Sequence, residues 1–296
     1  MTGDDPNLEL AGIVHEVRRI LEREQAAGTG ERFAMSAAQA RRSQAAGPGI
    51  AEPRPSPPRP APEPNPSRPA PEPNPSRKPE PSPPSSGVPA PAGIARRAEI
   101  SSAALPVLQQ IAEETRACRQ CGLCEARTQA VPGVGSAASG IVFVGEAPGA
   151  EEDRRGEPFV GRAGELLTRI IRAMDEAHLV PGVSLSRESV YICNVLKCRP
   201  PENRNPLPHE IELCSPYLER QLEALQPRII CCLGKFAAEL LVGAKGTIAG
   251  LRGKVYRYRG AKLIVTYHPA ACLRNPTYKR PVWEDMQLLA REYLTD

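Results

Sequence analysis

Apolar residues recur in two rhythms along the 296-residue chain. Near the start, Leu10, Ile13, Val14, Val17 and Leu21 share one helical face, with Glu16, Arg18, Arg19 and Arg23 between them. This predicts an amphipathic helix over 7–24, with Asn7 as its N-cap. A helix this short is marginal in isolation. Its pattern suits packing on the main domain or docking a protein partner equally well. Periodicity resumes only near residue 98. From there, Ile141–Val144, Val190–Val195, Ile229–Leu233 and Leu263–Thr266 read as short apolar strands. Helical patterns lie between them at Gly164–Ala173, His209–Leu225 and Lys235–Val242. Strands alternating with helices predict parallel pairing in a layered α/β sheet. Gly133-Val134-Gly135 precedes a strand and reads as a turn.

The silent stretch has a cause in composition. Of the 34 prolines, 18 fall between positions 53 and 91, and the nine residues Arg59–Ser67 repeat without change as Arg68–Ser76. Alternating proline has too few backbone donors for a hydrogen-bonded core and favours extended polyproline II. The expected organisation is therefore a helix at 1–24, a disordered Pro-rich linker at 25–97 and one domain at 98–296. That domain is long enough to bury roughly 70% of its unfolded surface.

No apolar run reaches the ~18 residues of a membrane span. The acidic start Met1-Thr2-Gly3-Asp4-Asp5 is not a secretory signal, so a cytoplasmic protein is expected. Residues 1–97 hold 13 of the 38 basic and 11 of the 34 acidic side chains, leaving a net of about +2 on 98–296. That is no broad nucleic-acid footprint, so any such site must be a local patch.

Ligands of open parallel α/β sheets bind beyond the carboxyl ends of the strands. The residues there are Gly145-Glu146-Ala147-Pro148-Gly149, Asn194, Gly234-Lys235 and Tyr267-His268-Pro269. An acid, an amide and a histidine thus gather along one edge, which marks an active site. The glycine-flanked loop 145–149 permits close approach of backbone N–H groups to a ligand. It is neither a P-loop nor a GxGxxG dinucleotide loop.

The nine cysteines divide by context. Cys118, Cys121 and Cys124 form a C-x2-C-x2-C run, and Cys198 and Cys214 follow at wider spacing. In a reducing compartment such thiolates suit zinc or an iron–sulfur cluster, and five candidates for four places leave one spare. Cys193, Cys231 and Cys232 lie within apolar strands and read as inert core residues.

Four blocks now carry a resemblance: GEAPGAEEDRRGEPFVGRAGELL (145–167), YICNVLKCRPPENRNPLPHEIELCSPYL (191–218), LRGKVY (251–256) and TYHPAACLRNP (266–276). Together they resemble the iron–sulfur (type 4) uracil-DNA glycosylases over about residues 105–294. The resemblance implies a central parallel four-stranded sheet flanked by helices. It implies a 4Fe–4S cluster held by Cys118, Cys121, Cys198 and Cys214, with Cys124 the spare. It implies uracil-containing DNA as substrate, single- or double-stranded, and a monomeric enzyme of base excision repair.

By the same resemblance, Gly145, Ala147, Phe159, Asn194 and His268 bind the flipped uracil. Phe159 stacks on the ring, Asn194 pairs with N3–H and O4, and His268 hydrogen-bonds O2. Glu146 and Glu152 are the candidates for assisting water. Cys272, Leu273 and Arg274 form the DNA wedge region. The family pattern after the motif histidine runs His-Pro-Ser-Ala-Leu-Leu-Arg, and Cys272 stands here where its first leucine is expected. A small Cys272 wedge would favour single-stranded and U·G substrates over U·A.

Other readings are weaker. The type 5 enzymes carry an apolar residue where Glu146 stands. Uracil-trapping relatives carry a Lys-Arg-Arg-Ile-His loop where this chain has Arg199-Pro200-Pro201-Glu202-Asn203-Arg204. A non-catalytic DNA-binding or polymerase-associated module, and an electron-transfer protein, both leave Glu146, Asn194 and His268 without purpose.

Overall fold

A computed structural model describes residues 92–295. The expected helix at 7–24 and nearly all of the expected linker lie outside them. The last six linker positions do not: helix α1 (Ala92–Ala117) begins inside the predicted linker. Its apolar rhythm is diluted by charged residues and broken by Pro106, so the pattern alone did not reveal it.

After α1 come α2 (Leu123–Ala126), β1 (Val134–Gly135), β2 (Ile141–Gly145), α3 (Ala150–Arg155) and α4 (Arg162–Glu176). Then follow β3 (Tyr191–Asn194), α5 (Pro208–Leu225), β4 (Ile229–Leu233), α6 (Lys235–Val242) and α7 (Ile248–Leu251). The chain ends in β5 (Val255–Tyr258), β6 (Ala261–Thr266), α8 (Pro269–Arg274) and α9 (Lys279–Leu294).

The sheet has six strands in the order β1-β3-β2-β4-β6-β5. Its four central strands are parallel, as expected. Two antiparallel edge strands were not expected. β1 occupies two residues of the predicted turn, too few to show an alternation. β5 is exposed and half-exposed by turns, as suits an edge strand with one face in solvent.

The central strands are buried on both faces, and successive side chains point to opposite layers. Val142, Val144, Cys193, Cys232, Leu263 and Val265 join the core that includes Leu218 and Leu222 of α5 and Ala237 of α6. Ile141, Phe143, Ile192, Cys231 and Ile264 join the opposite core with Leu167 and Ile171 of α4 and Met286 and Leu289 of α9. Cys193, Cys231 and Cys232 are fully buried core residues, as read from their strands.

Register then sets the site. Gly145 is paired with Asn194 at the ends of β2 and β3, and Leu233 with Thr266 at the ends of β4 and β6. The Gly145–Gly149 loop, Asn194 and Tyr267-His268 therefore emerge along one edge of the sheet.

Candidate active site and cysteine cavity

Gly145 ends β2 where two other side chains already stand. A Cβ there would meet Phe159 Cζ at 2.6 Å and would overlap Asn194 Oδ1. Only glycine permits this three-way approach. Asn194 is 1% exposed. Its Oδ1 is buried with no hydrogen-bond partner. A buried amide oxygen left unpaired costs about 1–3 kcal/mol, which a ligand donor would recover.

The Phe159 ring lies 5.5 Å from the His268 imidazole, tilted by 32°. His268 is the N-cap of α8, and its Nδ1 accepts the backbone N–H of Ala270 at 3.1 Å. Burial, reinforced by the Arg274 cation and opposed by Glu152, lowers its pKa to about 4. The imidazole is thus neutral near pH 7. With Nδ1 occupied as an acceptor, the proton sits on Nε2.

The two glutamates have different surroundings. Glu152 Oε1 accepts the backbone N–H groups of Val160 at 2.9 Å and Gly161 at 2.8 Å. Its Oε2 accepts Gly149 N–H at 3.1 Å. Those amides belong to the N-cap residues of α3 and α4 and the loop between them, so Glu152 fastens the two helix starts together. With both oxygens occupied, it is poorly placed to take a proton from water. Glu146 is half-buried. Burial raises its pKa above the ordinary carboxylate value, and Arg274 partly offsets that. Ala147 is half-buried and packs on the core.

The wedge expectation for Cys272 is corrected. Cys272 is 1% exposed and packs with Leu166 and Val282. α8 starts at Pro269, and helical spacing turns 269 and 272 inward while Leu273 and Arg274 face solvent. Leu273 is 36% exposed, an apolar side chain left in solvent on the outer face of α8.

Cys118, Cys121, Cys198 and Cys214 line one cavity, together with Leu123, Leu196 and Tyr217. Cys124 is not among its lining residues. Three chain segments converge there: the turn after α1, the segment after β3, and α5. Among the described residues, no three His, Cys, Asp or Glu side chains converge tightly enough to hold a single metal ion.

Donors surround the sulfurs. Arg127 Nη1 donates to Cys198 Sγ at 3.0 Å. The backbone N–H of Lys197 donates to Cys214 Sγ at 3.3 Å. Tyr217 lines the same cavity. Arg127 also holds the carbonyls of Thr115, Arg116 and Cys118 at the end of α1. The sequence reading missed Arg127, Lys197 and Tyr217. The signal available for the first two was a basic residue close to a cysteine motif.

Residues 132–287 match the family model described as the uracil DNA glycosylase superfamily. The chain belongs to that superfamily. A type-4 uracil-DNA glycosylase of Archaeoglobus fulgidus is 46% identical over 188 residues, covering 61% of this chain and 90% of the relative. One of Thermotoga maritima is 42% identical over 185 residues, covering 61% and 92%. A type-5 uracil-DNA glycosylase of Thermus thermophilus is more distant, 31% identical over 153 residues, covering 47% and 68%. Within the superfamily the chain therefore stands with the type-4 enzymes.

Proposed function

We infer that this chain removes uracil from DNA by hydrolysing its N-glycosidic bond. The observation that carries the reading is the unpaired, buried Asn194 Oδ1 beside Phe159 at the end of β3. The site lacks one hydrogen-bond donor, and uracil N3–H supplies it. The same amide carries an N–H2 group that matches uracil O4. Cytosine presents an acceptor at N3 and a donor at C4, so it mismatches this amide at both atoms.

A uracil inside a duplex must be flipped out to reach Asn194. Phe159 stacks on its ring, and Leu273, with Arg274, fills the gap left in the stack. As the C1′–N1 bond breaks, its electron pair passes to the uracil and charge grows on O2. The Nε2–H of neutral His268 donates to that oxygen. The sugar becomes oxocarbenium-like and takes water at C1′. Glu146 orients this water and accepts its proton, while Glu152 fixes the loops around the pocket.

The four cavity cysteines fit a cluster better than a single ion. A 4Fe–4S cluster takes one thiolate at each of four irons, so its ligands surround a cavity rather than a point. Burial pushes the Cys198 and Cys214 thiols up, and the N–H donors on their sulfurs partly offset it. When bound there, the cluster supplies a cross-link between the three segments. Cys118, Cys121, Cys198 and Cys214 would hold it.

A DNA substrate supports a cytoplasmic, nucleoid-associated location. Among the described residues, no helix is long and apolar enough to cross a membrane. Incubation with a uracil-containing oligonucleotide, followed by alkali, tests the reading. A break at the uracil supports it. Binding without a break would leave a non-catalytic module.

A further inference from the structure

Phe159 is held in a backbone conformation that its residue type avoids. Its φ is +53°, in the left-handed region where a side chain meets its own carbonyl. Such strain persists only where the surroundings over-determine it. Two of those surroundings are local: Glu152 gathers the amides of Val160 and Gly161, and α4 closes over the same peptide. At Gly164 in α4 a Cβ would overlap the Phe159 carbonyl, so the helix packs against it directly.

The third comes from a distant part of the chain. Arg187, in the connection between α4 and β3, donates from Nη1 to the Phe159 carbonyl at 3.0 Å and to Thr168 Oγ1 at 3.2 Å. Its Nη2 donates to the Pro158 carbonyl at 2.9 Å and to Glu157 Oε1 at 3.1 Å. One planar guanidinium thus fastens two consecutive carbonyls and joins them to α4. Lysine, with a single nitrogen, cannot reproduce that fork. The Arg187 side chain is 18% exposed, and no motif of the active site contains it.

We propose that Arg187 is a positioning residue for uracil recognition, acting through the Phe159 peptide to hold the stacking ring against the base pocket. The proposal rests on the reading of Phe159 as the stacking residue. Without the fork, the strained peptide relaxes toward negative φ and the ring swings out of register with Asn194. The base is then bound and oriented less well, while His268 and Glu146 stay in place.

A double-mutant cycle on the full chain tests this, using single-turnover excision and inhibition by free uracil as readouts. Arg187→Gln should slow excision on the order of tenfold, the scale of one lost base-stacking contact. It should weaken uracil inhibition by a similar factor. Arg187→Lys should fall between Gln and wild type. In a Phe159→Ala background the same Arg187 substitutions should cost little more, because the ring they position is gone. If the losses multiply instead, Arg187 supports the fold generally and the proposal is overturned. If Phe159→Ala alone keeps full rate and full uracil inhibition, the stacking reading itself fails. Should Arg187→Gln not fold, the Arg187→Lys arm of the same cycle decides between these outcomes.

Discussion

His268 Nδ1 accepts the backbone N–H of Ala270 at 3.1 Å, and this one bond decides which imidazole nitrogen can donate to a ligand. A cation at this position would be costly, because the ring is buried and Arg274 lies nearby. The site therefore offers a neutral N–H donor at Nε2, and the role proposed for it is to meet the negative charge on the departing base. His268→Ala should lower the single-turnover rate by about 10²- to 10³-fold, the scale of one lost oxyanion donor. DNA affinity should change far less. Equal losses in rate and affinity, compared by single-turnover kinetics and a binding titration, would contradict this role.

The pH profile should separate Glu146 from His268. Burial raises the Glu146 pKa above the ordinary carboxylate value, whereas that of His268 is lowered to about 4. On acidification Glu146 gains its proton first, so its carboxylate sets the acid limb of kcat/KM. His268 remains neutral until the pH passes down through about 4. Glu146→Gln should lower the rate and move the remaining acid limb to lower pH. An unchanged acid limb in that variant would show that another group titrates.

The cysteine cavity predicts a spectroscopic division. Cys198→Ala or Cys214→Ala should abolish the broad visible absorbance and the bound iron, and should lower the melting temperature. Cys124→Ala should leave all three nearly unchanged, because Cys124 does not line the cavity. Zinc in place of iron and labile sulfide, measured on anaerobically prepared protein, would contradict the cluster.

Cys272 and Leu273 should respond in opposite ways. Cys272 sits in a closed apolar cluster, so Cys272→Leu overpacks it and should cost about 1–3 kcal/mol of stability without changing strand preference. Leu273→Ala should slow excision from U·A duplexes most, U·G less and single strands least, because only stacked bases need a wedge. Equal slowing on all three substrates would remove Leu273 from that role.

The central strands and the helices α4, α5 and α6 were legible because their apolar residues keep one rhythm over enough positions, whereas α1 and α9 were not read. Ile229–Leu233 and Lys235–Val242 have the same bounds in sequence and structure. The strand-end rule named Glu146, Asn194 and His268, and parallel pairing brings the strand ends beside them to one edge of the sheet. β1 and β5 were missed, the first for its two-residue length. Cys272 was misjudged because a motif position gives no phase. Only the start of α8 at Pro269 shows which residues turn inward. Arg187 could not be read at all, since it acts through backbone carbonyls brought close by tertiary folding.

The central claim is tested most directly by counting free uracil. A duplex with one U·G pair is incubated with excess enzyme, and released base and abasic sites are quantified together, for wild type and for Asn194→Asp. The account predicts one free uracil per abasic site for wild type. It predicts roughly a tenfold or greater slowing for Asn194→Asp, whose carboxylate cannot donate to O4. Absence of free uracil with wild type, or full speed with Asn194→Asp, would contradict it.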